Sequence, residues 1–246
     1  VTALARGLEI LRAFQPDKGP LGNSELSSIT GIPKATISRL VYTLSELGYL
    51  TRDERLGKYE LSPSILALGY PVLSNLKVRH IAHDYMQQLA DLAGASVALA
   101  SRSRLSMIYI DACNANTIKT LRLDVGTRVS MVHSSLGRAF LAGVSEAERE
   151  YFFGHFAQRL RDDWPTLKEQ TETAIAQVRR RGFCLVDGDW QSDSRAVGVP
   201  LISTDGRTVL AMNCSGPAYA LSIDRLENDL GPRLVHLCSS ISPLLG

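Results

Sequence analysis

The sequence predicts an α+β protein in three segments: an N-terminal winged helix-turn-helix domain over residues 1–61, a linker helix over 62–76, and a larger α+β domain with a largely antiparallel sheet over 77–246. Three observations carry that reading. Residues 1–48 hold three short helical patterns separated by Pro and Gly turns. The hydrophobic period then switches to two around a charged hairpin. Beyond residue 77, strand-like runs come in two groups of three with helices between them, an order that favours antiparallel pairing.

Leu4, Leu8, Leu11 and Phe14 share one face of a first helix, which Pro16 and Gly19-Pro20 end. A short second helix spans about 24–29, with Asn23 as its N-cap. Thr30-Gly31-Ile32-Pro33 is a turn, with Pro33 just ahead of the third helix or at its first position. The third helix carries Ile37, Leu40, Val41, Leu44 and Leu47 on one side and stops at Gly48. Short strands at 49–51 and 59–61 flank the hairpin tip Arg52-Asp53-Glu54-Arg55-Leu56-Gly57-Lys58. The linker helix follows, with Pro71 placed to kink it.

A further amphipathic helix at 78–93 places Ile81, Tyr85, Leu89 and Leu92 toward a core. Strands are expected at 96–101, 106–111 and 119–124, then helices at 134–143, 146–155 and 167–181. Ser145-Glu146-Ala147-Glu148 and Thr166-Leu167-Lys168-Glu169 have the spacing of capping boxes for the last two. Strands at 183–186, 197–202 and 209–214 follow, the last pair joined through Asp205-Gly206. A final helix spans 222–241, with a break expected at Gly231-Pro232.

With 45% hydrophobic and 21% charged residues in 246, the chain has the composition of a globular protein, which excludes disorder and low-complexity classes. Its 27 Lys+Arg against 25 Asp+Glu leave a net charge of +2, which by itself favours no polyanionic partner. Cys113, Cys184, Cys214 and Cys238 stand singly, with no C-x-x-C, so a reducing cytoplasmic setting is expected. The apolar runs near Ile108 and Val209 fall short of the ~20 residues of a membrane span, and no membrane association is expected.

Two helices joined by a short Gly-containing turn form a helix-turn-helix pattern. The exposed face of the third helix offers Ala35, Thr36, Ser38, Arg39 and Tyr42, mostly short hydrogen-bonding groups with one guanidinium, suited to base edges of double-stranded DNA. Lys34 and the first-turn amides suit phosphate, and Arg52, Arg55 and Lys58 at the hairpin tip suit the adjacent backbone or minor groove.

Ala5-Arg6-Gly7-Leu8-Glu9-Ile10-Leu11, Thr30-Gly31-Ile32-Pro33-Lys34-Ala35-Thr36-Ile37-Ser38-Arg39-Leu40 and Leu44-Ser45-Glu46-Leu47-Gly48-Tyr49-Leu50 resemble the IclR-type bacterial transcriptional regulators. In the second half, so do Ser135-Leu136-Gly137-Arg138-Ala139-Phe140-Leu141-Ala142, Gly182-Phe183 with Asp187 to Asp189, and Cys214-Ser215-Gly216-Pro217. The resemblance runs through the whole chain in order. It implies a winged helix on palindromic operator DNA, a C-terminal GAF-like effector-binding domain for a small metabolite, often an organic acid, and a homodimer or homotetramer. It also implies effector contacts at Met131, Ser134, Ser135 and Leu136, at Asp189, Trp190 and Ala196, and at Asn213 and Ser215. Ser134 and Ser135 suit the start of a helix whose amides would hold a carboxylate, and Met131, Leu136 and Trp190 suit an apolar wall.

The chain departs from the family pattern at three places. Arg138 stands for the usual Lys, His133 is displaced by one in Val129-Ser130-Met131-Val132-His133, and Ala196 stands for a pocket cysteine. Those departures point away from glyoxylate-like ligands toward a larger or aromatic acid.

No G-x-S-x-G, H-E-x-x-H or P-loop occurs, so no catalytic residue, cofactor or enzymatic activity is expected. Ser74-Asn75-Leu76-Lys77 matches S-x-x-K without its companion motifs. His80, His83 and Asp84 lie on consecutive turns of a helix but lack further ligands, so no metal is expected there. The competing reading is a metabolic enzyme with an accessory winged-helix domain that binds protein. Shifting of duplex DNA, with steep salt dependence, separates the two.

Overall fold

A computed structural model describes residues 2–16, 18–115, 124–189 and 192–245. Its residues divide into two units, Val1–Asn75 and Leu76–Gly246. In the first, α1 (Thr2–Ala13), α2 (Asn23–Thr30) and α3 (Lys34–Glu46) precede an antiparallel hairpin of β1 (Leu50–Asp53) and β2 (Lys58–Leu61), and α4 (Leu66–Asn75) follows. Ile10, Leu26, Ile37 and Val41 form its fully buried centre. The α2–α3 turn requires Gly31, whose φ of 70° is a left-handed conformation that side chains resist. Pro33 stands just ahead of α3, where its missing N–H leaves no helical bond unmade.

Several faces differ from those the periodicity predicts. Leu4 and Leu8 are exposed, at 73% and 45%, and α1 instead buries Gly7, Ile10 and Ala13. The helix is apolar on two sides, and spacing does not say which one the core takes. Leu47 is exposed because α3 ends at Glu46. The cap of α2 is Gly22 rather than Asn23, its N–H donating to the Glu25 carboxylate at 2.6 Å. Asn23 is the first helical residue and donates through Nδ2 to Ser38 Oγ at 2.9 Å. Pro71 lies inside α4, and none of that helix is buried within its unit.

The second unit opens with α5 (Lys77–Ala93), β3 (Ser96–Ser103), β4 (Ser106–Asn114) and β5 (Arg128–Ser130). It continues through α6 (Ser135–Gly143), α7 (Glu146–Leu160), α8 (Trp164–Arg181), β6 (Cys184–Asp187), β7 (Ser194–Ile202) and β8 (Val209–Pro217). The short α9 (Ile223–Arg225) leads through a π turn at Leu226–Leu230 into α10 (Gly231–Ile241). The strands form one antiparallel sheet in the order β5-β4-β3-β8-β7-β6. One layer of core, including Met86, Leu89, Val97, Leu99 and Leu234, joins it to α5 and α10. The other, including Met131, Leu136, Phe140, Phe152 and Trp164, joins it to α6, α7 and α8. Coverage on both faces explains the nearly unbroken burial along β3 and β8.

Here too local signals and tertiary outcome part in places. The strand expected at 119–124 lies almost wholly outside the described residues, and β5 had no sequence signal. Tyr85 and Leu92 are exposed while Val78, Ala82 and Met86 take the buried face of α5. Ser145 caps α7, accepting from the Glu148 N–H at 3.2 Å, but α8 starts at Trp164 with Pro165 in its first turn, ahead of the Thr166 box. At Gly231-Pro232 the helix widens rather than breaks, the Gly231 N–H reaching back five residues to the Leu226 carbonyl.

Candidate nucleic-acid interface and ligand cavity

On α3, Lys34, Ala35, Ser38, Arg39 and Tyr42 are exposed and Thr36 is half-buried. They form the side of the helix opposite Ile37 and Val41. The Ser38 hydroxyl is already engaged, donating to the Lys34 carbonyl at 3.0 Å and accepting from Asn23. In the hairpin tip, Asp53 Oδ1 accepts from the backbone N–H of Arg55 at 2.9 Å and of Leu56 at 3.0 Å, which shapes the turn.

The tip cations are not equivalent. Lys58 Nζ binds Glu25 Oε1 at 2.8 Å, tying the hairpin to α2. That bond, followed by the Gly22 N–H, holds the Glu25 carboxyl below the usual carboxylate range. Arg52 lies 3.8 Å from Glu54. Among the described residues no ion pair engages Lys34, Arg39 or Arg55. The face therefore offers three uncommitted cations, one loosely paired and one tied down. In the same unit, an open groove of about 790 Å³ runs between α1 and α3, lined by Leu4, Leu8, Leu11, Leu40, Leu44 and Leu47 among others.

In the second unit, Ser134 N-caps α6, accepting from the Gly137 N–H at 3.1 Å and donating to the Ser130 carbonyl. Two glycines let this helix start press against its surroundings. A Cβ at Gly137 would stand 2.1 Å from the Met131 carbonyl oxygen, and one at Gly198 on β7 would stand 2.3 Å from that of Ser135. Neither neighbour is a movable side-chain end. The result is a cavity of about 20 Å³ walled by Tyr109, Ser134, Ser135, Val186, Ser194, Ala196, Asn213 and Ser215, roughly the room of one water molecule. Asn213 Nδ2 lies 3.4 Å from Ser135 Oγ, but Asn213 Oδ1 and Ser215 Oγ are buried without a hydrogen-bond partner. Unmatched buried acceptors and hydroxyls are costly, and a water molecule or the polar group of a ligand would satisfy them.

Of the residues that the resemblance proposed, Ser134, Ser135, Ala196, Asn213 and Ser215 meet at this cavity. Met131 and Leu136 do not reach its wall; both are fully buried in the core beneath α6. Asp189 is taken up by Arg138, whose Nη1 lies 2.6 Å from its Oδ2. Trp190 lies outside the described residues. Sequence reasoning missed Tyr109, Val186 and Ser194, which come from strands whose alternation marks them only as sheet residues. It also passed over buried Arg138, which binds the Val132 carbonyl at 2.8 Å, Gln170 at 2.9 Å and Asp189, and so ties α6 to α8 and to the end of β6.

A winged helix-turn-helix with a cationic outer face, followed by an α+β domain with a small polar cavity, is the anatomy of a transcriptional regulator with an effector domain. The IclR helix-turn-helix domain model matches residues 3–54, and the bacterial transcriptional regulator IclR C-terminal model matches residues 70–243. The chain belongs to the IclR family. It is 31% identical over 243 residues to the HTH-type transcriptional regulator TsaQ1/TsaQ2 of Comamonas testosteroni, covering 98% of this chain and 87% of that protein. An IclR family transcriptional regulator from Brucella abortus has the same structure at a TM-score of 0.89 and 43% identity, over 100% of this chain and 93% of that one. An IclR homologue from Microbacterium hydrocarbonoxydans, solved with 4-hydroxybenzoate, shares the fold at a TM-score of 0.76 and 20% identity, over 99% of this chain and 98% of that one. Among the described residues, no helix is long and apolar enough to cross a membrane.

Proposed function

We propose that the chain is a cytoplasmic regulator, not an enzyme, that binds palindromic operator DNA as a homodimer or a homotetramer built from dimers. A small organic acid, aromatic in kind, controls it from the α6 cavity. Base reading falls to Ala35, Thr36, Arg39 and Tyr42, with Lys34, Arg52 and Arg55 on phosphate. Ser38 and Lys58 position their neighbours. The observation that carries the effector reading is the pair of unmatched buried atoms, Asn213 Oδ1 and Ser215 Oγ, beside a helix start capped by Ser134. A helix N-terminus favours an anion, and the hydroxyl and amide side chains around it suit a carboxylate and a phenolic hydroxyl. The relative solved with 4-hydroxybenzoate supports an acid of that class.

At about 20 Å³ the cavity admits no such acid as it stands. Binding must therefore spread its wall, and a ligand that prefers the opened form shifts the population toward it. The dimer reading rests on the exposed Leu4 and Leu8 of α1, since one recognition helix spans only a few base pairs and symmetric half-sites need a second copy.

The test pairs two measurements. Duplex DNA from the region upstream of the chain's own gene should be retarded in a gel, with affinity falling steeply as salt rises. Benzoate-class acids should raise the thermal midpoint and change that affinity. No preference over random duplex overturns the operator reading. Stabilisation by neutral ligands but by no acid overturns the anion reading. Turnover of a substrate without duplex binding would favour the metabolic-enzyme alternative.

A further inference from the structure

Away from that cavity, the second unit brings together three side chains distant in sequence: His83 on α5, and Asp111 and Cys113 on β4. His83 Nδ1 lies 2.9 Å from Asp111 Oδ2 and 3.7 Å from Cys113 Sγ. All three donor atoms lie within 4.8 Å of one another. Asp111 and Cys113 are two apart on a strand, so both face α5. Both are buried, whereas the His83 side chain is 48% exposed. The helix spacing alone groups His83 with His80 and Asp84; the fold gives it different partners.

We propose that His83, Asp111 and Cys113 form a binding site for a divalent transition-metal ion, zinc in the first instance, with a fourth position open to water. One nitrogen, one carboxylate oxygen and one sulfur make a donor set of borderline softness, which suits zinc rather than magnesium or calcium. Zinc bonds of ~2.0–2.3 Å in tetrahedral geometry set ligand atoms ~3.3–3.8 Å apart; here His83 Nδ1 stands 2.9 Å from Asp111 Oδ2 and 3.7 Å from Cys113 Sγ.

Without an ion, the Cys113 thiol donates to the His83 carbonyl at 3.5 Å. On binding, the metal–sulfur bond forms as the S–H proton leaves to solvent, and His83 binds through Nδ1 while its exposed edge carries its proton on Nε2. Thiolate and carboxylate then neutralise the two positive charges. The Ala112 N–H donates to Asp111 Oδ1 at 3.0 Å, and Arg79 Nε lies 3.5 Å from the same oxygen, the one that the ion does not use.

Cobalt(II) titration of the full chain, carrying no histidine tag, tests the proposal. One equivalent should bind with a near-ultraviolet thiolate-to-cobalt charge-transfer band, and zinc should displace it. His83→Gln and Cys113→Ser should lose the band and weaken zinc binding by more than the ~10–100-fold typical of losing a ligand's supporting contact. Far-ultraviolet circular dichroism without metal checks each fold. If Cys113→Ser fails to fold, His83→Gln, at a half-exposed position, decides the matter alone. Absence of the band in the wild type overturns the site. So does its survival in folded Cys113→Ser, which would move the thiolate to Cys184, Cys214 or Cys238, or in folded His83→Gln, which would show that the imidazole is not a ligand.

Discussion

Arg39 is exposed on the outer side of α3, and no acid among the described residues pairs with it. A guanidinium so placed is free to bond two acceptors on a guanine edge. Arg39→Ala should weaken operator binding by ~1–3 kcal/mol while leaving random-duplex affinity nearly unchanged. Equal losses on both DNAs, measured by competition titration, would reassign Arg39 to phosphate. Lys58 illustrates the opposite case, a cation in the tip that serves the fold through Glu25. A carboxyl held below its unfolded value stabilises the folded state above that value, and the contribution disappears as pH falls through the folded pKa. The wild-type advantage over Glu25→Gln in thermal midpoint should therefore be present at pH 7 and shrink below about pH 4.5. A difference that stays constant with pH would mean that it does not arise from the charge on the Glu25 carboxylate.

At the scale of elements, α6 is set by two backbone approaches. Gly137→Ala and Gly198→Ala each drive a methyl into a carbonyl, so each should destabilise the second unit by at least the ~1–3 kcal/mol of ordinary overpacking. Urea unfolding measures this, and the same variants should lose the response to acids because Ser134 and Ser135 move. Gly154, inside α7 with open space around it, is the control. Gly154→Ala should stabilise by ~0.5–1 kcal/mol, since alanine is the better helix former and meets nothing. A destabilised Gly154→Ala, or a neutral Gly198→Ala, would contradict this account of how the helix is seated.

For the whole molecule, overall charge conceals the nucleic-acid face. Residues 1–75 hold eight Lys or Arg and seven Asp or Glu, so that unit is nearly neutral. Its cations are instead sorted by what they touch. Three uncommitted cations on a single copy give modest electrostatic affinity, and two copies on one duplex double the phosphates neutralised. Leu8→Glu, at an exposed position on α1, should convert dimer to monomer in sedimentation without unfolding the chain. It should also reduce the salt dependence of operator binding to about half its slope, because the slope scales with the phosphates neutralised. A dimer that survives this substitution, and Leu4→Glu beside it, would place the contact between copies elsewhere.

The sequence by itself determined the helix-turn-helix and most of the element order, β5 excepted. Gly31, Pro33 and Ser145 act within a few residues of themselves, and such local chemistry is written in the order of side chains. It also carried the serines of α6 and Asn213 and Ser215 to one cavity, through family likeness rather than spacing. Only the tertiary structure decided which apolar stripe of α1 and α5 is buried, because a helix apolar on two sides shows the same period whichever it turns inward. The same holds for Arg138 with Asp189, Lys58 with Glu25, and His83 with Asp111 and Cys113. Each pairing joins residues 28 or more apart along the chain, except that of Asp111 with Cys113 on one strand. Such partners are chosen by how a sheet with helices on both faces packs, and nothing local in the sequence records that choice.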